Sequence, residues 1–294
     1  MSEHLRVAFL GLGTMGLRMA ERIRAAGYDL SVYNRTASKA EALGRHGAFV
    51  AATPSEASRG RDVVIVMVSD TADVGQVMFG PDGAAEGLGA GSVVIDMSTI
   101  SPTATRGFAA RVSEVGADWL DAPVSGGSEG AEQGTLSIMA GGDAEVLARV
   151  RLLLEVLGST ITHVGPVGAG QVTKAVNQVI IAGTYAAVAE GLALGMKSGI
   201  DMEAAVSAMA GGAAGSWILD RRSANMIGNE YPLGFRLELH RKDLGIALAE
   251  ARDLGVPLAL AARVEQWESG LIGRGYGDED VSAVARVVRE QAGL

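Results

Sequence analysis

The chain has 294 residues, enough for one large domain or two ordinary ones, and at 48% hydrophobic and 20% charged it has ample material for a core. Its net charge of -9 argues against a nucleic-acid surface, because phosphate binding needs a basic face. Cysteine is absent, which excludes disulfides, thiol nucleophiles and cysteine metal sites and fits a cytoplasmic protein. Residues 1–16 hold a short apolar run and a glycine-rich turn rather than a cleavage site, so no signal peptide is expected.

In chain order, residues 5–10 are a short apolar strand, followed by glycines and a helical pattern over 15–26. Residues 29–33 are the next strand, then comes the polar turn Asn34-Arg35-Thr36 and a helix to about residue 46. A short strand over 48–51 and a brief helix opened by Pro54 precede 62–68, a continuous apolar run of the kind buried on both faces of a sheet. A helix over 71–79, a strand at 92–96, a proline-started helix over 102–115 and a strand at 118–121 follow. The series closes with strands at 135–140 and 160–164 around a helix at 143–156. Short apolar strands alternating with helices indicate βαβ units and a mostly parallel sheet.

After Gly165 the strand pattern stops. Residues 172–198, 201–211, 216–226, 236–254, 257–272 and 278–292 read as helices. The expected architecture is an α/β Rossmann-type domain over 1–165 and an all-α domain over 166–294. The second domain opens with a long helix that joins the two and is buried for most of its length. Asn177, Gln178 and Glu190 interrupt that helix and no positive cluster flanks it, so no membrane span is expected.

Gly11-Leu12-Gly13-Thr14-Met15-Gly16 fits G-x-G-x-x-G between a strand and a helix, the context in which that pattern binds a dinucleotide pyrophosphate at a helix N-terminus. The end of the second strand selects the dinucleotide. An NAD enzyme usually carries an acid about 20 residues on. Here Asn34, Arg35 and Thr36 stand instead, and Arg35 suits a 2′-phosphate, so NADP is expected over NAD, with NAD possible. Val68 and Ser69, at the end of the 62–68 strand, are also assigned to the cofactor.

The segment 9–23 (FLGLGTMGLRMAERI) resembles the N-terminal signature of the β-hydroxyacid dehydrogenase family. Three further blocks match in order: Asp121 to Gly127 (DAPVSGG), Gly168 to Gln178 (GAGQVTKAVNQ) and Phe235 to Leu244 (FRLELHRKDL). The resemblance implies a catalytic lysine at Lys174 and substrate amides at Asn177 and Gln178. It implies a loop for the substrate carboxylate at Ser125, Gly126 and Gly127, cofactor contacts at Thr99 and Lys242, and site-lining residues at Phe235 and Asp243. It also implies a homodimer or homotetramer.

On the residues alone, Lys174 is either a surface charge near a helix start or a base. An ordinary lysine, with a pKa near 10.4, is too basic to act as a base at neutral pH. Burial or a nearby positive charge would lower that value, and Lys174 lies in the least charged stretch of the chain. Asn177 and Gln178, at i+3 and i+4, share its helix face. His4, His46, His163 and His240 are scattered without metal-ligand spacing, so no metal is expected. The expected activity interconverts a small β-hydroxy acid and its semialdehyde, of the 3-hydroxyisobutyrate or tartronate semialdehyde type. The alternatives are an NADPH-dependent glyoxylate or succinic semialdehyde reductase, and a non-enzymatic dinucleotide sensor.

Overall fold

The computed structural model describes residues 5–294; residues 1–4, and with them His4, lie outside the described residues. The described chain forms two compact units, one up to Lys174 and one over Ala175–Leu294, that divide inside one long helix.

The first unit is built on a twisted sheet. Its opening elements are β1 (Arg6–Leu10), α1 (Thr14–Ala25), β2 (Asp29–Tyr33), α2 (Glu41–Arg45), β3 (Phe49–Val50) and α3 (Pro54–Ser58). Then come β4 (Val63–Val66), α4 (Thr71–Phe79), β5 (Val93–Asp96), α5 (Pro102–Ser113) and β6 (Asp118–Asp121). The last are β7 (Val124–Ser125), α6 (Gly127–Gln133), β8 (Leu136–Gly141), α7 (Ala144–Glu155) and β9 (Gly158–Gly165). The strand order is β3-β2-β1-β4-β5-β6-β8-β7, with β9 also paired to β8.

The first six strands are all parallel, and their order reverses between β1 and β4. That reversal opens a crevice at the carboxyl ends of the strands, where such sheets bind ligands. The parallel run ends at β8, which is antiparallel to β6 and β7 and parallel to β9. Alternate residues of each central strand feed opposite faces. Val7, Phe9, Val63 and Ile65 enter one core, while Ala8, Leu10, Val64 and Val66 enter the other. Two-sided burial is why 63–68 is apolar throughout instead of alternating.

Three elements differ from the sequence expectation. The strand at 48–51 shrinks to Phe49–Val50, an exposed edge pair. The Ser125-Gly126-Gly127 loop is instead the junction of β7 and α6. Gly126 (φ 131°) and Gly127 (φ 62°) make that sharp turn, and the helix-weakening Gly130 inside so short a helix, which Gly134 ends in the left-handed region, hides α6 from a propensity reading. The 278–292 helix divides into a 3₁₀ turn at Val281–Val284 and a helix at Ala285–Ala292, because the Asp280 side chain accepts from Ser282 N–H.

The long helix, α8 (Ala169–Lys197), starts in the first unit and continues through the second, which adds α9 (Met202–Ala210), α10 (Trp217–Gly228), α11 (Leu237–Asp253), α12 (Ala259–Gly273) and α13 (Ala285–Ala292). Within the second unit α8 buries Ala182, Tyr185, Ala186, Ala189 and Leu192, a stripe at helical spacing packed on α10, α11 and α12 residues. The remainder is not the wholly buried helix expected: Val176, Ile180 and Leu194 are 54%, 62% and 72% exposed. Uniform hydrophobicity concealed this, since an apolar residue has the same composition signature on either face.

Candidate active site

Apart from Ser125, inside β7, and Lys174, on α8, the candidate residues of the first unit follow the carboxyl ends of strands. Leu10 is level with Tyr33 and Val66, Val66 with Asp96, and Asp96 with Asp121, so the segments that follow β1, β2, β4, β5 and β6 start at one edge of the sheet. After β1, the three glycines have three different reasons. Gly11 has φ 101°, and a side chain there would collide with the Met67 carbonyl and Val68. A side chain at Gly16 would collide with the Gly11 carbonyl, so its absence lets α1 pack against the turn. Gly13 faces open space and caps α1 without a side-chain hydrogen bond. The first N–H groups of α1 thus point outward beside an open cradle, which fits a dinucleotide pyrophosphate. Leu12 is buried, Met15 partly so, and Thr14 is exposed at the same turn.

Asn34, expected to add a hydrogen bond to the cofactor, has its amide engaged in building the turn. Oδ1 accepts from Leu12 N–H at 2.8 Å and Nδ2 donates to the Thr36 carbonyl at 2.9 Å. The Arg35 side chain is 86% exposed and makes a 3.3 Å contact with Asp73 on α4. Thr36 is exposed beside it. Val68 packs beside Gly11, and its N–H donates to Ser98 Oγ, which joins the β4 and β5 ends. Ser69 is exposed and Thr99 half-buried in the same segments.

The start of α8 is fastened to this edge by two side chains whose roles the sequence did not reveal. Asp121, fully buried at the end of β6, accepts from Gly168 N–H at 2.7 Å and from Gln171 N–H at 2.9 Å. It satisfies backbone donors at the helix N-terminus from a distant strand, where a sequence reading looks for a cap in the preceding residue. Burial pushes the Asp121 carboxyl above the usual carboxylate range, against the opposing pull of those N–H groups. Gln171 Oε1 accepts from Ile100 N–H and its Nε2 donates to the Ser98 carbonyl, so one amide clamps the segment after β5. About one helical turn beyond Gln171, Lys174 is only 7% exposed, and its Nζ donates to the Val124 carbonyl at 2.8 Å. The structure thus places Lys174 against the residue preceding Ser125-Gly126-Gly127.

In the second unit α8 carries Asn177 and Gln178. Asn177 Nδ2 donates to Gln178 Oε1 at 2.8 Å, and Gln178 Nε2 donates to Asp243 Oδ2 at 2.7 Å. Lys242 Nζ lies 2.9 Å from Asp243 Oδ1. Phe235 sits before α11, edge-on to His240 with ring centroids 6.0 Å apart. His240 is structural in its surroundings: Nδ1 lies 2.6 Å from Glu268 Oε1 and both side chains are fully buried. Burial pushes the Glu268 carboxyl up, and His240 draws it partly back.

A parallel sheet with an outward-facing glycine turn at its reversal point, and a buried lysine at the same edge, define an NAD(P)-dependent oxidoreductase of the Rossmann type. Residues 6–165 match the NAD binding domain of 6-phosphogluconate dehydrogenase, and residues 168–288 match the family described as NAD-binding of NADP-dependent 3-hydroxyisobutyrate dehydrogenase. The chain is 39% identical over 288 residues to 2-hydroxy-3-oxopropionate reductase of Escherichia coli, covering 98% of each. Its fold is similar to that of Mycobacterium tuberculosis 3-hydroxyisobutyrate dehydrogenase with L-serine, at TM-score 0.89 and 31% identity over 97% of this chain and 99% of that one. It is also similar to Psf3 in complex with NADP+ and 2-OPP, at TM-score 0.86 and 28% identity over 96% and 99%. The chain belongs to the β-hydroxyacid dehydrogenase family.

Proposed function

We propose that the chain interconverts a small β-hydroxy acid and its semialdehyde, with Lys174 as the general acid and base. The observation that supports this most directly is the buried Lys174, held by the Val124 carbonyl at the strand edge whose β1 end carries the open glycine turn. Gly11 to Gly16 hold the pyrophosphate on α1, and Arg35 and Thr36 take the adenosine end of NADP(H), with NAD(H) as the lesser cofactor. Val68, Ser69, Thr99 and Lys242 complete the cofactor contacts. When bound, the nicotinamide supplies or accepts the hydride.

The chain's own residues do the rest. Ser125, Gly126 and Gly127 receive the substrate carboxylate, two positive-φ glycines turning backbone N–H groups toward an anion. Asn177 holds the substrate, Gln178 supports it, and Phe235 and Asp243 border it. Lys174 takes the hydroxyl proton in oxidation and returns it in reduction. The fit of the relatives' printed activities, a 2-hydroxy-3-oxopropionate reductase and a 3-hydroxyisobutyrate dehydrogenase, supports this substrate class. We further propose a cytoplasmic homodimer or homotetramer, on the exposed apolar face of α8 and the absence of cysteine.

The test is NADPH oxidation with tartronate semialdehyde, methylmalonate semialdehyde, glyoxylate and succinic semialdehyde, comparing kcat/KM. Highest kcat/KM on one of the first two supports the reading. Preference for either of the last two would replace it with the reductase alternative. Tight NADPH binding without turnover on any would point to a sensor.

A further inference from the structure

Helix α6 is too weak to hold its own first turn. It has 7 residues, opens on Gly127 and carries Gly130 in its middle, and no side chain caps its start. A helix this short does not persist by itself in water, and glycine weakens it further. Yet its N-terminus is the Ser125-Gly126-Gly127 turn, so the shape of that turn depends on what secures α6 from outside. Beneath it, Gly126 and Gly130 pack on Leu136. At its far end the hold comes from α1.

Arg22, in the last turn of α1, reaches across to two other helices. Its Nη1 donates to the Glu132 carbonyl at 3.0 Å, in the last turn of α6, and its Nε donates to the Val156 carbonyl at 2.9 Å, just beyond α7. Backbone acceptors at helix C-termini lack partners within the helix, and a cation there also meets the negative end of the dipole. The guanidinium fills the space that a side chain on Gly134 would take; a Cβ at that position would overlap it. Arg18, one turn earlier on α1, adds only an exposed ion pair with Glu132 at 3.8 Å, which contributes little. α1 does not depend on the grip, because Gly16, Met19, Ala20 and Ile23 bury its inner face. We infer that Arg22 is a positioning residue: by pinning the end of α6 to the dinucleotide helix, it keeps the Ser125-Gly126-Gly127 turn in the shape that receives the substrate carboxylate. This rests on the carboxylate role proposed above for that turn.

Arg22→Ala removes the guanidinium. Gly134→Asn keeps it but displaces it, and asparagine tolerates the left-handed conformation at that position. With the semialdehyde that the wild type reduces best, each variant should raise the substrate KM about tenfold, the cost of ordering a loop that was preorganised, and change the KM for NADPH less than about twofold. The double variant should be no worse than either single one, because both break the same contact. A role confined to stability would lower the amount of active enzyme without separating the two constants. A substrate KM that Arg22→Ala leaves unchanged, an equal rise for NADPH, or effects that multiply in the double variant would overturn the assignment.

Amide hydrogen exchange gives a readout that needs no turnover. In Arg22→Ala the amides of residues 127–134 should exchange roughly tenfold faster than in the wild type, while those of α1 keep their rates. Unchanged rates over 127–134 would overturn the grip. If the wild type reduces none of the semialdehydes, the proposed function fails, and the exchange rates still decide whether Arg22 holds the turn.

Discussion

Lys174→Ala removes the group assigned to proton exchange and leaves the glycine turn untouched. Turnover should fall by about 10³-fold or more, while NADPH binding, followed by fluorescence titration, stays near the wild-type value. Substantial residual activity would take the lysine out of the mechanism. At the second strand's end, Arg35 is exposed and bound only weakly to Asp73, so it is available to a 2′-phosphate. Arg35→Ala should raise the KM for NADPH roughly tenfold, the scale of one charge-assisted hydrogen bond, and change that for NADH little. Equal effects on the two cofactors would remove Arg35 as the selector. The glycine turn was legible in the sequence from residue type and local context, whereas Lys174 was singled out by the family resemblance and its burial against the Val124 carbonyl came only from the fold. Asn34 was legible as a turn residue but not in its role, since only the fold shows Leu12 N–H reaching its Oδ1.

The first two turns of α8 are positioned from outside the helix. Asp121 accepts from two backbone N–H groups at its start, and Gln171 bridges it to the Ser98–Ile100 segment. Asp121→Asn presents one oxygen where two donors converge and turns an NH₂ toward the other. It should cost about 2 kcal/mol of stability, read by denaturant unfolding, and should lower kcat as the turn carrying Lys174 loosens. Unchanged stability would show that water or a rearranged loop replaces the cap. In α11 and α12 the buried His240–Glu268 pair gives a pH dependence. Glu268 titrates above its ordinary 4.5 in the folded chain, so between that value and its folded pKa the folded state holds a proton that the unfolded state has lost. Its contribution is therefore fully present below the unfolded pKa and is lost as pH rises through the folded one. The melting-temperature advantage of the wild type over Glu268→Gln should shrink on going from about pH 4.5 to about pH 7.5. A constant or widening gap would contradict the raised pKa.

At the scale of the whole molecule, the second unit keeps a row of apolar side chains in the open. Leu194, at 72%, is the most exposed large hydrophobic residue among those described, and Val176 and Ile180 lie along the same helix. In the homodimer or homotetramer proposed above, a second copy of this chain would bury that row. Leu194→Glu should cost the isolated fold under about 0.5 kcal/mol, as exposed substitutions do, yet shift sedimentation from dimer or tetramer toward monomer. An unchanged sedimentation coefficient would place the assembly surface elsewhere.

The order of elements, the change from α/β to all-α at Gly165, and the dinucleotide turn were determined by the sequence itself. They are local: periodicity, glycine placement and the continuous apolar runs of a sheet covered on both faces. What only the tertiary structure decided is non-local. Asp121 caps a helix through Gly168, 47 residues later, Gln178 is oriented by a carboxylate 65 residues away, and one face of an apolar helix is left exposed. Each depends on which distant groups share a dry environment, where an unmet hydrogen bond is costly, and no local pattern in the chain records that pairing.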